Sequence, residues 1–177
     1  MLHTVFLLFL GAYILWNLIV VLLAIHEYGH LLAMKRLNIR PDKVVIGSVR
    51  LFDLQIGGLK FEIGLIPLWG YVASKHYERA DSYQRAIIAA AGPVMSLVTG
   101  IGFLLVNYIH PIWLVGLLAK GSLLLVVTNM IPLPPLDGWT IIEHFLIQKL
   151  GIRITPRGRQ YLLCAGMVAV MVVTLLV

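Results

Sequence analysis

Long apolar stretches alternate with short polar segments along this chain. Four of these stretches cover about residues 4–36, 84–109, 112–131 and 160–177. A helix needs ~20 residues to cross the ~30 Å hydrocarbon core of a bilayer, and each stretch meets or approaches that length. The pattern therefore predicts an all-α membrane protein with about four transmembrane helices.

The segment between the first two predicted helices has a different pattern. Residues 44–73 contain short runs that alternate along the chain and are rich in β-branched and aromatic side chains. Gly57-Gly58 separates two of these runs, which is typical of a β-hairpin. We predict a small membrane-associated hairpin or sheet here. Two roles stay open for it: it closes the mouth of a site, or the edge formed by residues 59–63 pairs with an extended substrate.

Composition agrees with one membrane domain over residues 1–177. Hydrophobic residues make up 60% of the chain, charged residues 12%, and the mean hydropathy is +0.93. The formal net charge of +6 is spread over short segments without a nucleic-acid motif, so we expect no nucleic-acid partner. The single cysteine, Cys164, excludes an intramolecular disulfide. The first apolar stretch lacks a basic start and a small-residue cleavage pattern, so we expect it to be retained.

The positions of Lys and Arg predict the orientation. Nine of them lie from the end of the first predicted helix to the start of the second, at positions 35–85, and four lie between the third and fourth. The turn at residues 107–111 contains none, and neither terminus does. By the positive-inside rule, both termini face outward from the cell membrane and both basic segments face the cytoplasm.

The sequence His26-Glu27-Tyr28-Gly29-His30 ends the first apolar stretch. Residues four apart lie on one face of a helix, so the two imidazoles can hold one zinc ion while Glu27 acts as a general base. The alternative is that backbone or water satisfies both histidines. A cluster of ionisable groups beside hydrocarbon is costly, which favours the functional interpretation. His26 lies about twenty residues past the outer end of this helix, so we expect it near the cytoplasmic edge of the bilayer.

Asp137 is the candidate for a third ligand. Catalytic zinc usually has three protein ligands and one open position. Asp137 follows three prolines in the segment 129–138, which breaks the third predicted helix at the depth assigned to His26. Broken backbone at that depth occurs where it lines a cavity or is covered by protein. The alternative is that Asp137 is only a turn residue before Gly138.

The two motifs together resemble the site-2 proteases, which are intramembrane zinc metalloproteases. The resemblance is greatest to the bacterial branch that includes the regulator of sigma-E protease. Residues 66–72 and 84–93 are similar to the hairpin end and second helix of that branch. The resemblance implies one Zn²⁺ ion held by His26, His30 and Asp137, with Glu27 as the catalytic base.

The resemblance also implies a substrate and the residues that bind it. Single-span transmembrane proteins would be cut in or near the lipid bilayer, and Asn129 would hold the substrate backbone or the developing oxyanion. We expect Gly70 and Tyr71 to contact substrate as well. Two departures from the family pattern are the absence of a PDZ-like domain and Ser96, where relatives often carry Asn.

Other polar residues receive a structural interpretation. Lys120 lies about halfway along the third predicted helix, where we expect a snorkelling or paired lysine rather than a catalytic one. Gly92-Pro93 is expected to kink the second helix. His76, His110 and His144 lack metal-ligand spacing and are expected at the interface or in solvent. His144 follows Asp137 by seven residues, so a contact behind the metal ligands stays open.

Two other functions remain in competition with proteolysis. One is a catalytically inactive relative that binds membrane proteins, and the other is a zinc carrier or sensor. The presence of all four residues needed for zinc hydrolysis argues against the first. Transport would need ionisable residues through the whole bilayer, and only Lys120 lies away from the cluster.

Overall fold

The computed structural model describes residues 2–152 and 154–176, which form five helices and a two-stranded antiparallel sheet. The helices are α1 (Leu2–Arg36), α2 (Ser82–Ile109), α3 (Trp113–Asn129), α4 (Asp137–Leu150) and α5 (Pro156–Leu176). The strands are β1 (Lys43–Ile56) and β2 (Leu59–Ala73), and a short 3-10 helix covers Tyr77–Arg79. The fold is mostly helical with one small sheet between α1 and α2.

The helix α1 carries the His26 motif without interruption. Its 35 residues contain no proline, and a helix of that length extends ~50 Å at ~1.5 Å per residue. Lys35 and Arg36 occupy its last turn, where positive charge interacts favourably with the helix dipole. Residues 3–15 are exposed, whereas the second half is largely buried against α2 and β2. The motif formed by His26, Glu27 and His30 therefore lies in the half that other elements cover.

The hairpin covers almost the predicted region, its turn lies at Gly57-Gly58 as expected, and its two strands of 14 and 15 residues are longer than the short runs in the sequence. After the turn, residues 59–63 pair with residues 52–56 of β1. Residues 43–46 at the start of β1 lie between two stretches of β2. Residues 60–63 lie on one side of them, and residues 70–73 pair with them on the other. The prediction that residues 59–63 form an open edge is therefore wrong, because they have neighbours on both sides. The stretch 70–73 is instead an outer stretch of the sheet.

The helix α2 begins with a capping box. Asp81 accepts the backbone N–H of Gln84 at 2.7 Å, and the side chain of Gln84 accepts the N–H of Asp81. The helix continues through Pro93, and the kink expected there stays a prediction. A Cβ on Gly29 of α1 would lie 2.8 Å from the Cβ of Met95, so α1 and α2 pack with almost no space between their backbones. Small residues allow this approach.

Among the residues that the structure describes, two helices, α1 and α2, are long and apolar enough by length and composition to cross a membrane. The helix α3 is apolar but has only 17 residues. The four-span prediction is thus supported for its first two spans, while spans at 112–131 and 160–177 stay predictions. The sequence pattern missed α4, which lies within a segment expected to be a polar connection.

Candidate metal centre

Three predicted ligands come together at one point. The Nε2 atoms of His26 and His30 lie 3.2 Å apart. Oδ2 of Asp137 lies 3.1 Å from Nε2 of His26 and 3.4 Å from Nε2 of His30. Asp137 is separated from the histidines by more than 100 residues of sequence, so this approach is made by the tertiary fold.

The dimensions of this triangle fit zinc. Ligand atoms bound to tetrahedral zinc at ~2.0–2.1 Å lie about 3.3 Å from one another, close to all three observed separations. Both histidines are buried, and the donor set of two imidazoles and one carboxylate is one that catalytic zinc uses. An oxygen of Glu27 also lies within 4.8 Å of the imidazole nitrogens. Asp137 lies closer, at 3.1 and 3.4 Å from those nitrogens, and is therefore the better candidate for a third ligand.

Each imidazole is held from behind by α2. Nδ1 of His30 lies 2.7 Å from the carbonyl oxygen of Ile88, and Nδ1 of His26 lies 3.0 Å from Oγ of Ser96. The carbonyl of Ile88 only accepts, so Nδ1 of His30 carries the proton and donates it. The other nitrogen, Nε2, is then unprotonated and directs its lone pair at the cluster. The hydroxyl of Ser96 favours the same tautomer of His26 when it accepts.

Gly92 lies between these two supporting residues on the same face of α2. A Cβ at this position would lie 2.5 Å from Cε1 of His30 and 2.8 Å from Nε2 of His26. Any side chain here would therefore occupy the space beside the ligand nitrogens. Sequence reasoning assigned Gly92 to a kink and missed this contact.

The carboxyl of Glu27 is buried in the same region. The residue is 3% exposed, and its Oε2 has no hydrogen-bond partner among the described residues. Gly70 of β2 covers the carboxyl, since a Cβ there would lie 2.5 Å from Oε1 of Glu27. A buried carboxyl oxygen without a partner is costly in free energy, and such groups call for a functional explanation.

The position of Asp137 follows from the start of α4. It is the first residue of that helix, directly after the proline-containing loop. A Cβ on Gly138 would lie 2.7 Å from the carbonyl oxygen of Ile131, so the loop passes close to the helix start. Further along α4, Nδ1 of His144 lies 3.1 Å from Oγ of Ser82, the first residue of α2. His144 is half-buried and braces α4 against α2, and the described residues show no hydrogen bond from it to Asp137.

A second contact holds α4 on its other side. Glu143 is buried, and its Oε1 accepts Nε–H of Arg159 at 3.2 Å as well as a second guanidinium N–H. This part-buried ion pair links α4 to α5. His76 and His110 are exposed, in agreement with the sequence interpretation.

The three predicted substrate-binding residues lie at different distances from the cluster. Gly70 contacts Glu27, as described above, and Tyr71 is the next residue on the same outer stretch of β2. Asn129 ends α3, where its side-chain amide donates to the carbonyl of Leu125 in its own helix at 3.0 Å. Within the described ranges, no hydrogen bond joins Asn129 to the cluster.

A charged network supports the outer stretch of the sheet. The Lys43 ammonium lies 5.7 Å from the ring centre of Tyr71 and donates to Glu62 at 2.9 Å. Lys60 also contacts Glu62, at 2.8 Å. Hydrogen bonds from Lys60 and Lys43 lower the pKa of Glu62 from its ordinary 4.5 to about 2. Lys43 therefore connects the carboxylate of Glu62 to the aromatic ring beside Gly70.

Comparisons with known proteins identify relatives of this chain. The model of peptidase family M50 matches residues 12–112, more than half of the chain. The chain is 33% identical over 111 residues to the regulator of sigma-E protease RseP of Salmonella typhimurium, covering 50% of this chain and 24% of that protein. It is 27% identical over 110 residues to a Vibrio cholerae protein named as a presumed zinc metalloprotease, with 50% and 24% covered. The chain therefore spans about a quarter of the length of these relatives.

One solved structure has the same fold. The site-2 protease from Methanocaldococcus jannaschii matches with a TM-score of 0.52 and 24% identity, over 77% of this chain and 55% of that chain. At this identity the likeness concerns the fold. The matched region of the family model includes both histidines, Glu27 and the α2 face behind them, and ends before Asp137.

Proposed function

The chain belongs to peptidase family M50, the family of the site-2 proteases, and from this membership we propose that it is an intramembrane zinc metalloprotease. Its reaction would be the hydrolysis of peptide bonds in or near transmembrane segments of other proteins. The observation that carries the proposal is the triangle of Nε2, Nε2 and Oδ2 atoms, which has the size of a zinc site and lies beside a buried carboxyl.

His26, His30 and Asp137 would hold the ion through the two Nε2 atoms and Oδ2, the donor types that catalytic zinc uses. When bound, zinc supplies two kinds of chemistry, the activation of water and the polarisation of the attacked carbonyl. Ser96 and the carbonyl of Ile88 keep both imidazoles in one orientation and tautomer, so the ligand atoms need not rearrange when the ion binds.

Glu27 would move the proton. The water oxygen bonds to the carbonyl carbon of the substrate, and the water proton goes to Oε2 of Glu27. The same proton then passes to the amide nitrogen as the carbon–nitrogen bond breaks. The absence of a protein partner for Oε2 among the described residues supports this role, because a buried carboxyl oxygen needs a hydrogen-bond partner and a water molecule or substrate group would provide one.

The outer stretch at residues 70–73 is the proposed place for the substrate backbone. A transmembrane helix hides its peptide groups in internal hydrogen bonds, so a segment must unwind before it is attacked. Pairing with an edge strand replaces the lost bonds. Gly70 supports this proposal, since the substrate would lie next to the strand that covers Glu27. Tyr71 would contact the substrate side chains. The amide of Asn129 would first have to leave the carbonyl of Leu125 before it could hold the substrate backbone or the oxyanion.

The membrane setting is also a proposal. The distribution of Lys and Arg supports termini outside and a site near the cytoplasmic face of the cell membrane. The buried half of α1, which contains His26, is the half next to the basic segment that follows it. Single-span membrane proteins are the substrates that this geometry would suit.

The test uses the purified chain in detergent with a tagged single-span substrate. Glu27→Gln removes the proton acceptor and leaves the three ligand atoms unchanged, so zinc content should stay at the wild-type level while cleavage is lost. The matched control is Glu78→Gln, the same change at an exposed residue, which should cleave normally.

Each other outcome has a defined meaning. Retained cleavage in the Glu27→Gln protein would refute the mechanism. A wild-type protein that binds zinc and substrate but cuts nothing would indicate the inactive relative. Zinc entry into vesicles that contain the wild-type chain would indicate a carrier instead.

A further inference from the structure

Lys120 is a charged residue that neither the metal centre nor the proposed reaction uses. It lies in α3, seven residues after Trp113, which corresponds to ~10 Å along the helix axis. Its side chain is exposed, and no carboxylate of the described residues lies within 4.0 Å of its ammonium. An ammonium at this depth without a counter-charge is costly unless it reaches a polar environment.

The structure provides such an environment at the N-terminal start of α3. Side chains in a helix point toward its N-terminus, so Lys120 extends toward the turn that joins α2 to α3. A cavity of about 300 Å³ lies there. Its lining includes Asn107, Pro111, Trp113, Gly116, Leu117 and Lys120. The residues from α3 are spaced three or four apart, so they share one face of the helix.

The polar groups that line this cavity are mainly hydrogen-bond donors. Oδ1 of Asn107 already accepts the N–H of Ile112 at 3.1 Å, which leaves the amide nitrogen of Asn107 as its unused group. The indole of Trp113 and the ammonium of Lys120 are donors only. No acidic residue lines the cavity. The amide of Asn107 lies over Gly116, where an added Cβ would be 3.4 Å from Oδ1.

This combination of donors and apolar walls defines the ligand. We propose that the cavity binds the phosphate of an anionic phospholipid from the leaflet that surrounds the α2–α3 turn. Lys120 would donate to the phosphate, with Asn107 and Trp113 as further donors. Pro111 and Leu117 would contact the glycerol and the start of the acyl chains. Basic side chains between membrane helices bind anionic lipid head groups in other membrane proteins.

The position of Trp113 agrees with a lipid rather than a soluble ion. It is 75% exposed at the first residue of α3, and tryptophan is enriched where a helix crosses from hydrocarbon to the head-group region. Ile112 beside it is also exposed. A small hydrated anion would gain nothing from these apolar surfaces, whereas a lipid covers them.

The experiment measures lipid binding to the purified full chain by native mass spectrometry. Phosphatidylglycerol and phosphatidylcholine with identical acyl chains are titrated in parallel, and inorganic phosphate is added as a competitor. The wild-type chain should prefer phosphatidylglycerol. Lys120→Met should weaken that binding by about 10- to 100-fold, the factor that loss of one hydrogen bond to a charged group implies. Lys120→Arg should restore it.

The matched control is Lys149→Met, which removes a lysine from the end of α4 outside the cavity and should leave binding unchanged. Asn107→Leu provides a second test if Lys120→Met fails to fold, and it should weaken phosphatidylglycerol binding in a protein with normal zinc content. Equal binding by Lys120→Met and wild type would overturn the proposal. Equal losses from Lys120→Met and Lys149→Met, or full competition by inorganic phosphate, would overturn it as well.

Discussion

Ser96→Ala should weaken zinc binding although Ser96 is not a ligand. Its Oγ lies 3.0 Å from Nδ1 of His26, and the two residues are only 2% and 3% exposed. Removing the hydroxyl leaves the N–H of His26 buried without an acceptor, and water has little access to replace it. The imidazole then loses the contact that fixes its tautomer and its rotation toward Asp137.

The magnitude follows from two independent estimates. Leaving a buried donor unsatisfied costs about 1–3 kcal/mol. Each ~1.4 kcal/mol corresponds to a tenfold change in an equilibrium constant, so zinc affinity should fall by about 5- to 150-fold. Losses of about 10- to 100-fold are typical when the outer partner of a metal-bound histidine is removed. Competition with a chromophoric chelator of known zinc affinity measures this change directly.

The matched control is Ser122→Ala. Ser122 is also 2% exposed, but it lies in α3 against Gly100, away from the ligand atoms. Its substitution removes the same hydroxyl from an equally buried position and should leave zinc affinity unchanged. The reasoning is refuted if Ser96→Ala binds zinc as tightly as wild type, or if both substitutions weaken binding equally.

Three further substitutions test other contacts of the site and the sheet. Gly92→Ala should lower zinc affinity by more than Ser96→Ala, because its Cβ would lie 2.5 Å from Cε1 of His30; the chelator assay measures this. Gly70→Ala should lower kcat at unchanged zinc content, because its Cβ would lie 2.5 Å from Oε1 of Glu27; cleavage kinetics measure this. Glu62→Gln should lower the thermal midpoint at neutral pH and have no effect at low pH. The pKa of Glu62 is lowered from 4.5 to about 2, so its contribution is complete above 4.5 and disappears as the pH falls through 2.

Each of these substitutions has a control within the chain. Gly102→Ala places a Cβ in open space on α2 and should change neither zinc content nor kcat. Glu78→Gln removes an exposed carboxylate outside the sheet network and should not produce the pH-dependent difference. A Glu62→Gln effect that grows toward acid pH would contradict the assigned sign.

Local patterns predicted much of the site. The four-residue spacing of His26 and His30 places both side chains on one face of any helix, and the observed helix continues through both residues. The turn at Gly57-Gly58 was predictable because two glycines between strand-like runs favour a tight hairpin turn. Asp137 was reached by an argument from depth, since the prolines end one helix at the level of the histidines. The fold then brings its carboxylate into contact with both imidazoles.

The remaining features depend on contacts between distant segments. The alternating pattern of residues 59–63 predicts a strand but does not say how many neighbours the strand has, and the sheet covers both of its sides. The helix α4 was missed because the apolar residues of 137–150 are mixed with charged ones, and one of these, Glu143, is buried and pairs with Arg159 of α5. Burial of a charged residue by a partner from another helix leaves no periodic signal in the sequence.

The α2 helix supplies no ligand, yet it determines the shape of the metal centre. Ile88, Gly92 and Ser96 are spaced four apart, so they lie on one face toward α1. The carbonyl of Ile88 accepts from the imidazole of His30, and the hydroxyl of Ser96 contacts the imidazole of His26. Gly92 between them has no side chain and leaves space for both rings. The imidazole of His26 needs only one acceptor atom within hydrogen-bond distance of its Nδ1, and the hydroxyl of Ser96 provides it. This explains how Ser96 can replace the asparagine that the family pattern led us to expect, since the contact depends on the position of an oxygen and not on an amide.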